Sequence, residues 1–134
     1  MSVLVDTNIW SEGIRRAGSE SVRQELESLI RDSRAQVIGP IRQEVLSGIK
    51  SPEQFAIVRD RMRAFPDLPL TQSDFEMAAQ FFNQCRQQGI QGSHTDFLIC
   101  AVADRHKMAV FTLDQDFLRY QPIIGLTLHQ PDFH

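Results

Sequence analysis

Only two cysteines occur in the 134 residues, Cys85 and Cys100, far apart and outside any CxxC or Cys/His cluster. That scarcity excludes a disulfide framework and a thiolate zinc site, and both read as reduced core residues of a cytosolic protein. Long hydrophobic runs are also missing, since the longest, Phe97 to Ala103, falls well short of the roughly 18 residues that suggest a membrane span. Val3-Leu4-Val5 is stopped by Asp6 and is too short for the apolar stretch of a secretion signal, so neither export nor membrane insertion is expected. Positive charge is in short supply, with 14 Lys and Arg against 17 Asp and Glu for a net −3. That balance excludes a broad basic surface for nucleic acid. The 7 glycines and 6 prolines gather into no linker, and without repeats or low-complexity tracts the chain reads as one domain over residues 1–134.

What is present fits an ordinary globular unit, with 42% hydrophobic and 23% charged residues. Short apolar runs alternate with helical periods. Val3-Leu4-Val5 predicts a strand, and Asp6-Thr7-Asn8 supplies turn and cap chemistry before a helix from Ile9 to Arg16. From Ser21, the spacing of Val22, Leu26, Leu29 and Ile30 predicts an amphipathic helix that ends before a second strand at Val37-Ile38. Pro40 opens the next helix, with Ile41, Val45 and Ile49 on one face. Ser51-Pro52 caps another, whose buried face is Phe55, Val58, Met62 and Phe65.

Beyond Pro66, Leu68 and Leu70 suggest a brief edge strand. Ser73 and Glu76 read as a capping box for a helix burying Phe75, Ala78, Phe82 and Cys85 and running to about Gln88. The stretch from Thr95 or Asp96 to Arg105 is apolar on almost every side and predicts a buried helix. Val110-Phe111-Thr112 predicts a third strand and Leu126-Thr127-Leu128 a fourth, joined by a polar loop and a turn around Pro122 and Gly125. The expected class is α/β, an α/β/α sandwich with a short, mainly parallel sheet and helices on both faces.

In such a sheet, sites lie at the carboxyl ends of the strands. Asp6 closes the first strand there, and Asp114 and Asp116 follow the third. Asp96 opens the buried helix, and Glu44 stands in the first turns of the Pro40 helix. Each has a plainer reading: Asp6 as a helix cap, Asp96 as partner to Ser93 in a capping box, Glu44 as a solvated residue, and Asp114 with Asp116 as a polar turn. Together they would repel one another unless a divalent cation intervened. Oxygen donors without cysteine or paired histidine select Mg²⁺ or Mn²⁺, and such a site suits in-line attack of water on a phosphodiester.

Val-Leu-Val-Asp6-Thr7-Asn8-Ile9-Trp10, Glu44, Thr95-Asp96-Phe-Leu-Ile-Cys-Ala-Val-Ala103 and Phe111-Thr112-Leu-Asp114-Gln-Asp116-Phe117 resemble, in that order, the PIN domain, and above all the small VapC-type toxins of bacterial and archaeal toxin–antitoxin pairs. The resemblance implies a Mg²⁺- or Mn²⁺-dependent endoribonuclease neutralised by a VapB-type antitoxin; a cytoplasmic location and a homodimer are expected beside it. It makes Asp6 and Asp96 the central metal ligands and Glu44 the third acid. Asp114 resembles the fourth acid, with Asp116 placed to share or take over that role. Thr7, Asn8 and Thr112 resemble the small polar residues that hold the acids.

Twelve of the 14 basic residues are Arg. Arg59, Arg61 and Arg63 read as a solvated helix face, while Arg15, Arg16 and Arg42 flank the proposed site and are the candidates for gripping RNA. Trp10 reads as core, and Phe81 with Phe82 gives one helix two aromatic faces for a second copy or an antitoxin. Two alternatives stand beside the nuclease. One is a phosphotransfer domain of the haloacid-dehalogenase or receiver kind, though position 8 is Asn and neither Lys50 nor Lys107 ends a predicted strand. The other is a catalytically silent PIN-like module that binds RNA or protein.

Overall fold

The apolar run near the N-terminus forms the centre of the sheet in the computed structural model, which describes residues 1–14 and 18–131. β1 (Val3–Val5) is buried throughout and pairs in parallel on both sides, with β2 (Ala35–Gln36) and β3 (Ala109–Phe111), in the order β2-β1-β3. Such a strand, covered above and below, has no solvent face to fill with polar residues. Helices α1 (Thr7–Ile14) and α2 (Glu20–Arg31) connect β1 to β2. Then α3 (Gly39–Ser47), α4 (Pro52–Met62), α5 (Gln72–Gln87) and α6 (His94–His106) lead to β3, and α7 (Asp116–Ile124) follows it. The expected α/β/α sandwich is borne out.

Because β1 lies between the other two strands, the chain leaves it toward one side and returns on the other. This reversal opens a crevice beyond the carboxyl ends of the strands. The register pairs Val5 with Phe111, and Asp6 N–H donates to the Phe111 carbonyl at 2.9 Å. Asp6 and Thr112, the next residue on each strand, therefore leave the sheet side by side.

Several elements differ from the sequence reading, each for a tertiary reason. The second strand is Ala35–Gln36 rather than Val37-Ile38. Val37 turns its pairing to a single bridge with Asp67, and Ile38 becomes the residue that precedes α3, both fully buried. Neither Leu68-Leu70 nor Leu126–Leu128 extends the sheet as a strand among the described residues; Asp67, just before the first, bridges to Val37, and Leu128 in the second bridges to Val110. The α5 capping box uses Thr71 and Asp74, not Ser73 and Glu76, so the helix starts earlier and Phe81 turns inward while Phe75 is left 54% exposed. Ser51 caps α4 as expected, with Val58 and Met62 buried.

The segment read as a polar loop is helix α7, with Pro122 inside it. Proline removes one helical hydrogen bond, but Phe117 and Tyr120 on the opposite side are fully buried, and Gly125 ends the helix at φ 71°. Burial of two aromatic side chains, about 2–3 kcal/mol each, outweighs that loss. Cys85 and Cys100 are free and buried, and burial pushes both thiols up, away from the reactive thiolate. No helix among the described residues is long and apolar enough to cross a membrane.

Candidate metal centre

Asp6 is only 6% exposed, and its carboxylate is held from three directions. Thr7 N–H donates to Oδ1 at 2.7 Å, and Oδ2 accepts from Thr112 Oγ1 at 2.8 Å and Asn8 Nδ2 at 3.3 Å. Thr112 in turn accepts from Asn8 Nδ2 and Asp114 N–H, while Asn8 Oδ1 accepts from Leu113 N–H. One hydroxyl thus ties the end of β1 to the loop after β3. Burial pushes the Asp6 carboxyl above its ordinary value, the Thr112 and Thr7 hydrogen bonds oppose this, and the Asp96 and Glu44 charges add to the rise.

Asp96 stands in the first turn of α6, where its N–H donates to the Ser93 cap at 3.0 Å. Its carboxylate Oδ2 accepts from the Tyr120 hydroxyl at 2.8 Å. Tyr120 is fully buried between Phe97 and Phe117, and burial with the nearby carboxylates holds its hydroxyl protonated. A side chain at Gly92 would bring a Cβ within 2.3 Å of that hydroxyl, so the close approach requires glycine. Burial pushes Asp96 up as well; Tyr120 and Ser93 oppose the shift, and the Asp114 and Asp116 charges reinforce it.

Asp114 and Asp116 lie where β3 passes into α7. Asp116 N–H donates to Asp114 Oδ1 at 2.9 Å, leaving the other Asp114 oxygen free of any bond from this turn. Carboxylate oxygens of Asp96, Asp114 and Asp116 fall within 4.8 Å of one another. Asp6 stands outside that group but lines the same crevice, of about 590 Å³, with Thr7, Asn8, Glu44, Ser93, Asp96 and Asp114. Glu44 is exposed on its rim. No described residue lining the crevice is basic, and the buried Thr7 hydroxyl has no hydrogen-bond partner. Clustered hard oxygen donors beside an unpartnered hydroxyl, with the exposed Arg119 at 3.9 Å from Asp116 the one described cation paired to them, fit Mg²⁺ or Mn²⁺.

The PIN domain model matches residues 3–121. The chain belongs to the PIN domain family. Among solved structures it is similar to FitAcB from Neisseria gonorrhoeae, with a TM-score of 0.79, 23% identity and coverage of 96% of this chain and 97% of that one. It is also similar to DNA-bound VapBC from Salmonella typhimurium (0.77, 18%, 96% and 97%) and a toxin–antitoxin complex from Klebsiella pneumoniae (0.67, 23%, 87% and 90%). At such identities these likenesses show the fold. Among curated proteins no relative matches the chain. Family membership sets aside the haloacid-dehalogenase and receiver alternatives.

In this PIN domain the other singled-out residues divide clearly. Arg42 does not line the crevice; its guanidinium pairs with Asp67 at 2.9 Å and donates to the Met62 and Phe65 carbonyls at the end of α4, which commits it to packing. Arg15 and Arg16 lie outside the described residues. Trp10 is buried, donating to the Val5 carbonyl at 3.0 Å, with Phe65 against its ring. Phe81 is core, while Phe82 packs between His94, Phe97 and Arg86.

Two residues of consequence escaped the sequence reading, Tyr120 and Asp74. The Phe117/Tyr120 spacing was the available signal for the first, masked by Pro122. For the second it was Thr71-Gln-Ser-Asp74, overlapped by the Ser73/Glu76 pair.

Proposed function

We propose that this PIN domain, spanning residues 1–134, is a Mg²⁺- or Mn²⁺-dependent endoribonuclease and the toxin of a type II toxin–antitoxin module. The observation that carries the reading is the meeting of Asp96, Asp114 and Asp116 within 4.8 Å, at a crevice that Asp6, Asp96 and Asp114 line and whose described lining has no basic residue. Asp6, Asp96, Asp114 and Asp116 would hold the ion. When bound, Mg²⁺ or Mn²⁺ supplies Lewis-acid stabilisation of charge building on the attacked phosphate.

The chain's own residues do the rest. Thr7, Asn8 and Thr112 fix the Asp6 carboxylate by the hydrogen bonds described, so its geometry is set before substrate arrives. Glu44, exposed on the rim, is free to orient the attacking water and take its proton. Arg15 and Arg16 would contact the RNA backbone, a role assigned from their sequence position alone. A crevice poor in cations disfavours bare RNA, and a divalent ion held by these acids would offset the repulsion between them and the RNA phosphates.

The similar complexes named above include toxin–antitoxin and VapBC assemblies, and by that likeness the partner is a VapB-type antitoxin; a cytoplasmic homodimer is proposed from the sequence. The deciding experiment incubates the purified chain with total RNA. Cleavage in Mn²⁺ or Mg²⁺, stopped by EDTA and restored by either ion, supports the nuclease. Intact RNA in both ions overturns it in favour of a silent binding module, and equal degradation without metal overturns the metal dependence. Growth arrest on expression, relieved by the neighbouring reading frame, tests the toxin assignment.

A further inference from the structure

Asp96 shares its local sequence with a second acid whose carboxylate behaves differently. Thr71-Gln-Ser-Asp74 and Ser93-His-Thr-Asp96 each place a hydroxyl at a helix N-cap and an aspartate three residues on. At α5 both halves of the capping box form: Thr71 Oγ1 accepts from Asp74 N–H, and Asp74 Oδ2 accepts from Thr71 N–H at 2.9 Å. At α6 only the first half forms, from Asp96 N–H to Ser93 Oγ. The Asp96 carboxylate is turned instead to Tyr120 and the acids of the crevice.

The local preference of this motif is the closed box, because it satisfies an orphan donor at the helix start. Something must hold Asp96 open against it; besides the Ser93 hydroxyl of its own cap, the donor that reaches the carboxylate is the Tyr120 hydroxyl at 2.8 Å. The ring that carries it cannot swing away. It is 0% exposed, wedged between Phe97 and Phe117, and it sits over Gly92 at a distance no side chain there would permit.

We propose that Tyr120 is a positioning residue that holds the Asp96 carboxylate in the crevice, against closure onto the Ser93 N–H, and so keeps it available to a divalent cation. The inference rests on the reading of Asp96 as a metal ligand. It assigns to α7 a task beyond packing, that of deciding whether the first turn of α6 caps itself or faces the site. Partners behind a metal ligand typically alter affinity by about 10–100-fold when removed.

The test measures Mn²⁺ binding by the EPR signal of the free ion, together with amide hydrogen exchange. In the wild type the Ser93 amide should exchange faster than the Thr71 amide, whose box is closed; equal protection of the two overturns the proposal without any variant. In Tyr120→Phe, which keeps the ring, Mn²⁺ affinity should fall about tenfold and Ser93 protection should rise. In an Asp96→Asn background the same Tyr120 change should no longer affect Mn²⁺ binding. A Tyr120→Phe protein that binds Mn²⁺ as the wild type does overturns the positioning role while leaving the metal site standing. A wild type that binds no Mn²⁺ overturns the metal reading and this inference with it.

Discussion

Asp74 and Asp96 occupy equivalent positions, three residues after a hydroxyl cap, yet they live in opposite surroundings. Asp74 is 1% exposed, and its carboxylate receives two hydrogen bonds from Arg105, at 2.6 and 2.9 Å. The Arg105 hydrogen bond holds its carboxyl below the ordinary value despite burial. Asp96 has Tyr120 in place of an arginine and further carboxylates in place of a cation, and burial with their charges pushes it up. A buried acid with its cation inside the fold is structural. A half-buried one left without a cation beside other acids, as Asp96 is, marks a place where the missing charge must come from outside.

This contrast can be broken at either acid, and the largest effect is expected in catalysis. Asp96→Asn should lower RNA cleavage about a hundredfold or more, whereas Asp74→Ala should cut at the wild-type rate at 25 °C; a gel time course on total RNA reads both. If Asp96→Asn cleaves normally, the proposed site is wrong. Next in size is the response to metal. At a concentration about 100 times its Kd, Mn²⁺ should stabilise the wild type by about 2.7 kcal/mol. Thermal melts should show that gain kept in Asp74→Ala and lost in Asp96→Asn.

Without metal the ranking of stabilities reverses. Asp74→Ala loses a cap acceptor and a charged hydrogen bond, about 2 kcal/mol together, or a Tm drop of roughly 5–10 °C. Asp96→Asn should melt at or above the wild type, because amide nitrogen relieves carboxylate repulsion while the remaining oxygen still accepts from Tyr120.

The smallest effect is a pH dependence with a definite sign. A raised carboxyl takes up its proton early as pH falls, so the advantage of Asp96→Asn should shrink as pH falls through the raised folded-state value toward the ordinary carboxylate range. Over that window the Asp74→Ala deficit should persist, because a lowered carboxyl stays ionised until pH falls through its folded-state value. A deficit that vanished by about pH 5 would show that Arg105 does not hold Asp74 as described.

Much of this was legible along the chain. β1 announced itself by three apolar residues ended by an acid, and Ser51 and Pro40 marked their helix starts by local chemistry. The family resemblance, spread over four short motifs, brought the five acids together ahead of any coordinates. Less legible were elements that only long-range packing defines. β2 and β3 slid by one or two residues because the ladder with β1 sets their register, which freed Thr112 to leave the sheet and serve Asp6. α7 was hidden by Pro122, since its stability comes from burying Phe117 and Tyr120 rather than from its own backbone. Arg42 looked available for RNA until Asp67 and two carbonyls at the end of α4 claimed it.

By itself, then, the sequence determined that Asp6 closes a strand and that Asp96 opens a helix, because those positions follow from periodicity and capping over a few residues. It could not decide between the two tetrapeptides, each a hydroxyl cap followed three residues on by an aspartate, that end in Asp74 and Asp96. That decision belongs to Arg105, 31 residues from Asp74, and to Tyr120, 24 residues from Asp96. The charge state of a buried carboxylate is set by what lies against it in space, and local pattern carries no record of that.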